Sequence, residues 1–169
     1  RSVDLKYHWN VVTGVNKTNY HALVFNIGGV IPLHKQVALI PNLYNRFLFG
    51  NEPIALDRNM LGGSMAGRYF EQQIQFMSIN TVIPQDNMLS AGSLSLRYEP
   101  VKDVYVSAVG NIARTAHSFD TFFQNSQPFI WGAGIEAAYD SIIGPCVFNV
   151  HYNSFDKRVG VYFGVGYEF

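Results

Sequence analysis

The chain has 169 residues, with 12 basic and 12 acidic side chains and a formal net charge of zero. That balance offers no basic face to nucleic acid and no polybasic patch to a membrane surface. Charged residues make up 14% and aromatics 15%, which disfavours a helical bundle, whose surface would need Glu and Lys, and favours strands with one apolar face.

Period-two alternation appears at once. Val3, Leu5, Tyr7, Trp9 and Val11 alternate with Asp4, Lys6, His8 and Asn10, and a turn follows at Asn16-Lys17-Thr18. A second strand is predicted over 20–31, with Pro32 as its stop, and a third over 36–49. The third has Asn42, Tyr44 and Arg46 on its polar side, and Pro41 predicts a bulge or weak pairing within it. From 50 to 87 the alternation fails. Pro53, Gly62, Gly63, Gly67 and Pro84 punctuate a long insertion, with a strand or hairpin arm expected near 73–82. An insertion of that length in a compact domain is usually functional.

Alternation resumes over 88–99, 104–114, 129–139, 146–154 and 158–169. Residues 100–103 and 140–145 read as tight turns, and 115–127 as a polar loop with scattered aromatics. In the last strand Val159, Val161, Phe163, Val165, Tyr167 and Phe169 oppose Gly160, Tyr162, Gly164, Gly166 and Glu168. The expected fold is all-β: an antiparallel transmembrane β-barrel of about eight strands, with residues 1–169 as a single barrel or half-barrel domain and a long loop over about 50–87.

No run of about 18 apolar residues exists to form a transmembrane helix, but a barrel strand needs only about 9–11 alternating residues. Three features favour a membrane barrel over a soluble β-barrel binder. The polar strand faces carry small residues beside isolated charges (Gly160, Gly164; Ser93, Ser95, Arg97). Aromatics gather near strand ends, where Tyr and Trp suit the headgroup zone. The chain also ends on Phe169, directly after an unbroken alternating strand. Outer-membrane lipid is therefore an expected partner, and the bacterial outer membrane the expected location. The chain opens on Arg1-Ser2 without a signal-peptide pattern, and reads as the mature or excised part of something longer.

The ending Val165-Gly166-Tyr167-Glu168-Phe169 resembles the C-terminal assembly signal of outer-membrane proteins. It implies that Val165, Tyr167 and Phe169 engage the barrel assembly machinery. The insertion segment Leu61-Gly62-Gly63-Ser64-Met65-Ala66-Gly67-Arg68-Tyr69-Phe70-Glu71-Gln72-Gln73 resembles the lumen-entering loop of the outer-membrane insertase and two-partner-secretion superfamily. It is most similar to the barrel appended to bacterial patatin-like phospholipases. In that superfamily the loop is followed by five strands, and five alternating strands follow here.

The resemblance implies the C-terminal half of a sixteen-strand barrel, which anchors or translocates a fused upstream domain. That domain would be a patatin-like phospholipase or an assembly factor. It also implies a lumenal anchor at Gly67-Arg68-Tyr69, although Arg and Gly are exchanged relative to the family motif. The strand expected to offer an Asp reads Ser107-Ala108-Val109-Gly110-Asn111, so Glu136 or Glu99 becomes the candidate ion-pair partner of Arg68. The alternative is a free-standing eight-stranded barrel with lipid-modifying or small-ligand-binding activity.

No catalytic residue is assigned to this chain. Ser64 lacks the Gly two positions later and the strand-to-helix turn of a nucleophile elbow. The five histidines show no metal spacing, and no stretch has a phosphate-loop pattern, so neither metal nor cofactor is expected. His151, between Asn149 and Asn153, reads as a hydrogen-bonded lumenal residue, and the single Cys146 as a small strand residue.

Overall fold

The computed structural model describes residues 2–12, 18–51, 57–63, 73–74, 76–77, 79, 82–124, 128–142 and 144–165; for residues 2–12, 18 and 73 it describes the backbone alone. The strands in chain order are β1 (Ser2–Val12), β2 (Thr18–Gly28), β3 (Ile31–His34), β4 (Val37–Gly50), β5 (Met60–Gly62), β6 (Gln73–Ile74), β7 (Val82–Pro84), β8 (Met88–Val101) and β9 (Val104–Ala116). A one-turn helix α1 (Phe119–Phe123) follows, and then β10 (Ile130–Ser141), β11 (Gly144–Asn153) and β12 (Val159–Val165).

Eight of these strands form one antiparallel sheet in the order β1-β2-β4-β8-β9-β10-β11-β12, so each pairs with its neighbour among the long strands. β3 folds back on the foot of β4, and β5, β6 and β7 make a separate small sheet. Among the described residues the large sheet is not closed: β1 and β12 are its edges. Tight turns at Asp103 (φ 65°) and Lys157 (φ 55°) reverse the chain in the left-handed region. The ends of β8 and β10 lie on one rim, and the ends of β4 and β9 on the other. The strict alternation of tight and long connections breaks at 29–36, because part of that connection is the extra strand β3.

The two faces of the sheet have opposite chemistry. One face exposes Leu94, Leu96 and Tyr98 on β8, Trp131, Ile135 and Tyr139 on β10, and Val159, Val161 and Phe163 on β12. Ile135 at 64% and Phe163 at 68% exposure are not isolated; they belong to a wall that continues from strand to strand. An apolar surface of that extent has no place in water and needs hydrocarbon against it. The other face carries Arg46, Ser107, Asn149, His151 and Asn153, all buried. Polar residues inside and apolar residues outside is the arrangement of a membrane barrel wall.

Three local expectations are corrected. Pro32 does not stop a long second strand: β2 ends at Gly28, and Pro32 lies within β3. Pro41 causes no bulge, and the β4–β8 register runs through the Pro41↔Leu94 pair without a shift. Its carbonyl accepts from the Gly29 amide at 3.2 Å, so its missing N–H points to the gap where β2 has ended and β3 has not begun. The ladder loses no bond there. Finally, part of the 115–127 loop is helical. Ser118 and Thr121 form a reciprocal capping box, with the Thr121 amide donating to Ser118 Oγ at 3.4 Å and the Ser118 amide to Thr121 Oγ1 at 3.1 Å.

The wall assignment predicts a depth-dependent cost. Ile135→Arg, at mid-strand on the outer face, is expected to destabilise the protein by about 2–4 kcal/mol in lipid vesicles, and Tyr139→Arg, near the rim, by about 0–1 kcal/mol. Urea unfolding of the folded protein in bilayers measures both.

Candidate functional site: an inner loop fastened to the barrel wall

The insertion after β4 returns across the polar face of the sheet. Gly62 (φ 95°), the last residue of β5, and Gly63 (φ 78°) after it have positive φ, where a side chain would be strained. β5 pairs in parallel with β6 and antiparallel with β7, giving the insertion a small sheet of its own. Leu61, Phe76 and Ile79 from the insertion pack with Leu89 and Ala91 of β8 and Ala113 of β9. Met77 lies over Gly134 of β10, where an added Cβ would meet its sulfur at 2.7 Å and the Val150 carbonyl at 2.6 Å. An apolar cluster here needs a second layer, because the strand residues Leu89, Ala91 and Ala113 point away from lipid and must be covered from within.

The fastening is polar and centres on Asn59, which is fully buried. Arg46 of β4 points to the same face and is 7% exposed. Its Nη1 donates to Asn59 Oδ1 at 2.9 Å and to the Asp57 carbonyl at 2.9 Å. Asn59 Nδ2 in turn donates to the carbonyls of Asp86 at 2.7 Å, Asn87 at 3.0 Å and Arg46 at 3.4 Å. The Tyr20 hydroxyl of β2 donates to Asp57 Oδ2. One asparagine thus ties the start of the insertion, its end and the strand before it. A buried guanidinium needs this, since its charge and fixed fork of donors are costly to leave unmatched.

The fastening differs in kind from the one the sequence suggested. Gly67, Arg68 and Tyr69 lie outside the described residues, so their expected role is neither met nor refuted. Among the described residues the anchoring arginine comes from the wall, Arg46, and its acceptors from the insertion. Of the two candidate partners for Arg68, Glu99 accepts from the Asp103 amide at 3.3 Å in the β8–β9 turn. Glu136 stands on the polar face in one row with Arg97 and Ser107, by the registers Arg97↔Ser107 and Ser107↔Glu136. Arg97 also lies 5.3 Å from the Tyr105 ring centroid. In the C-terminal signal, Val165 ends β12 on the outer face, while Tyr167 and Phe169 lie outside the described residues.

The sequence pattern gave Arg46 its polar side but no role, and Asn59 only a place among the residues that punctuate the insertion. A buried asparagine bonding to backbone carbonyls has no periodic signature, and this one sits where periodicity fails.

A second polar group lies further round the wall. His151 Nδ1 and Asn149 Oδ1 are 2.6 Å apart. The His151 ring covers Gly160 of β12, where an added Cβ would collide with it. Asn153 Oδ1 accepts the amides of Phe155 and Asp156 at 2.9 Å each, closing the β11–β12 turn. Among the described residues no group of His, Cys, Asp or Glu is placed to hold a metal. Ser64 lies outside the described residues.

The match to known families decides what kind of wall this is. A family profile described as the OMP85 superfamily matches residues 2–169. The chain belongs to the OMP85 superfamily. No curated protein matches it. Membership makes this an outer-membrane β-barrel protein and agrees with the inverted faces of its sheet and with an insertion folded onto the inner one.

Two sets of variants probe the OMP85 inner face. Asn59→Ala takes one partner from Arg46 and one from the Asp86 carbonyl, while the Asn87 carbonyl keeps the Leu48 amide at 2.9 Å, and is expected to cost about 1–3 kcal/mol per buried group left unsatisfied. The loss is expected both in unfolding by denaturant and as faster proteolysis within 52–87. Gly160→Ala forces the His151 ring aside and is expected to cost about 1–3 kcal/mol by overpacking. Adding His151→Ala should restore most of that loss, because the collision is with this ring alone.

Proposed function

We propose that this chain is the membrane-embedded module of a larger outer-membrane protein, which anchors or passes an upstream domain across the outer membrane. The observation that carries the reading is the insertion fastened through Asn59 to the inner face of an OMP85 sheet. A loop held by the hydrogen bonds of Arg46, Asn59 and Tyr20 and by an apolar cluster fills lumen space, as suits a module whose interior is regulated or plugged rather than freely open. The two sheet edges need partners: in hydrocarbon an unpaired ladder is not viable, so β1 and β12 require each other or the further strands of a larger barrel.

On this reading the chain itself performs no catalysis. Any phospholipase activity would belong to a patatin-like domain upstream, and the C-terminal strand would be read by the barrel assembly machinery. A lipid-modifying site at His151 is less well supported, since its ring lies inward over Gly160, away from the lipid-facing wall.

Deleting residues 1–169 from the full-length protein tests the proposal. The upstream domain is expected to leave the outer-membrane fraction and appear in the soluble periplasmic fraction. If it stays in the membrane fraction, the anchoring role is wrong. Phe169→Ser in the full-length protein is expected to leave most of the protein uninserted, measured by heat-modifiable gel migration of the outer-membrane fraction.

A further inference from the structure

The outer wall carries a dent that the protein's own packing does not explain. Gly110 of β9 and Gly92 of β8 both stand on the outer face, inside regular ladder with no register shift, at Leu94↔Gly110 and Gly92↔Ile112. Neither has a left-handed backbone. A Cβ at Gly110 would meet nothing within 4 Å, and one at Gly92 only ordinary contacts, Ile112 at 3.6 Å and Leu43 at 3.9 Å. Alanine would fit at both. Glycine within a strand weakens it, and where no bulge or bend accounts for it, it marks close approach by a ligand or another backbone. The result is a surface groove over the two glycines, continued toward the rim by a second of about 240 Å³ that shares Gly92 and Ile112 with it.

The rim end of this groove is cationic. Arg114 lies on the same face of β9 as Gly110 and Ile112, four residues along the strand from Gly110, about 14 Å at the usual rise. An arginine on the lipid side of a barrel wall is costly unless its donors are filled. Its guanidinium lies 5.6 Å from the Phe122 ring centroid and 5.1 Å from that of Phe129. Its Nη2 donates to the Gln124 carbonyl, and its Nε is buried with no partner among the described residues. α1 lies over this end, with Phe119 and Phe122 packed edge-on against Phe47 of β4 and Phe123 66% exposed. The groove therefore runs from an apolar floor at mid-wall to a positive charge framed by aromatic rings near the rim.

We propose that this groove is a binding site for one phosphate-bearing membrane lipid, with an acyl chain over Gly92 and Gly110 and the phosphate at Arg114. The charge selects an anion, and the length of apolar floor selects a lipid over a free ion. The site lies on the outer wall and does not depend on the upstream domain or on the fastened inner loop.

Native mass spectrometry of the full-length protein released from nanodiscs tests it. In nanodiscs of mixed phosphatidylglycerol and phosphatidylcholine, the wild type is expected to retain one phosphatidylglycerol. Gly110→Leu places a side chain in the dent, its Cβ meeting nothing within 4 Å, and is expected to abolish retention. Arg114→Gln should remove the preference for phosphatidylglycerol over phosphatidylcholine, and Arg114→Lys should keep part of it. Heat-modifiable migration confirms that each variant is folded. Retention by Gly110→Leu and Arg114→Gln equal to wild type overturns the proposal. So does displacement of the lipid by millimolar inorganic phosphate, which would make Arg114 an ion site only. An anchoring failure in the deletion experiment would leave these readings unaffected.

Discussion

In hydrocarbon no water completes a backbone hydrogen bond, and the structure depends on that constraint. It forces the membrane-crossing part of the chain into a continuous antiparallel ladder and leaves side chains to alternate between lipid and interior. Once the ladder is set, chemistry sorts by parity. Val159, Val161 and Phe163 can face outward only because Gly160, Tyr162 and Gly164 face in. The interior then inherits the small and polar residues, and an interior of that kind has room for something else. Here it is the chain's own insertion.

The inner loop shows how a polar interior is made compatible with burial. Arg46 would be a liability on a wall covered by apolar residues. It becomes a fixed point because Asn59 and the Asp57 carbonyl face it, and because Asn59 passes the connection on to Asp86 and Asn87. The apolar cluster of Leu61, Phe76 and Ile79 on Leu89 and Ala91 excludes water from the same neighbourhood, which strengthens the hydrogen bonds it surrounds.

The ladder was legible in the sequence because alternation is a local, repeated signal. The strands from Met88 onward follow their predicted spans closely, and Trp131, Ile135 and Tyr139 fall on the expected outer face. Proline was misread twice, since its effect depends on which side of a strand lacks a neighbour, and sequence does not say that of Pro41. The short helix had a signal in Ser118 and Thr121, but five residues are too few to show a helical period. The fastening at Asn59 was not legible at all. It depends on the backbone carbonyls of residues 46, 86 and 87 converging on the Asn59 side-chain amide, with that of residue 57 beside them on Arg46, and nothing in their types announces that.

The reach of that fastening also bears on the order of assembly. Asn59 and its neighbours touch β2, β4 and the start of β8, and β4 and β8 are adjacent strands joined by the insertion itself. The polar part of the strap therefore closes on the hairpin it belongs to and on the neighbouring β2. Its entropic cost is that of a loop already shortened by strand pairing. It can form while the two edges of the sheet are still far apart, so the interior is occupied before any wall is sealed around it, and no later threading step is required.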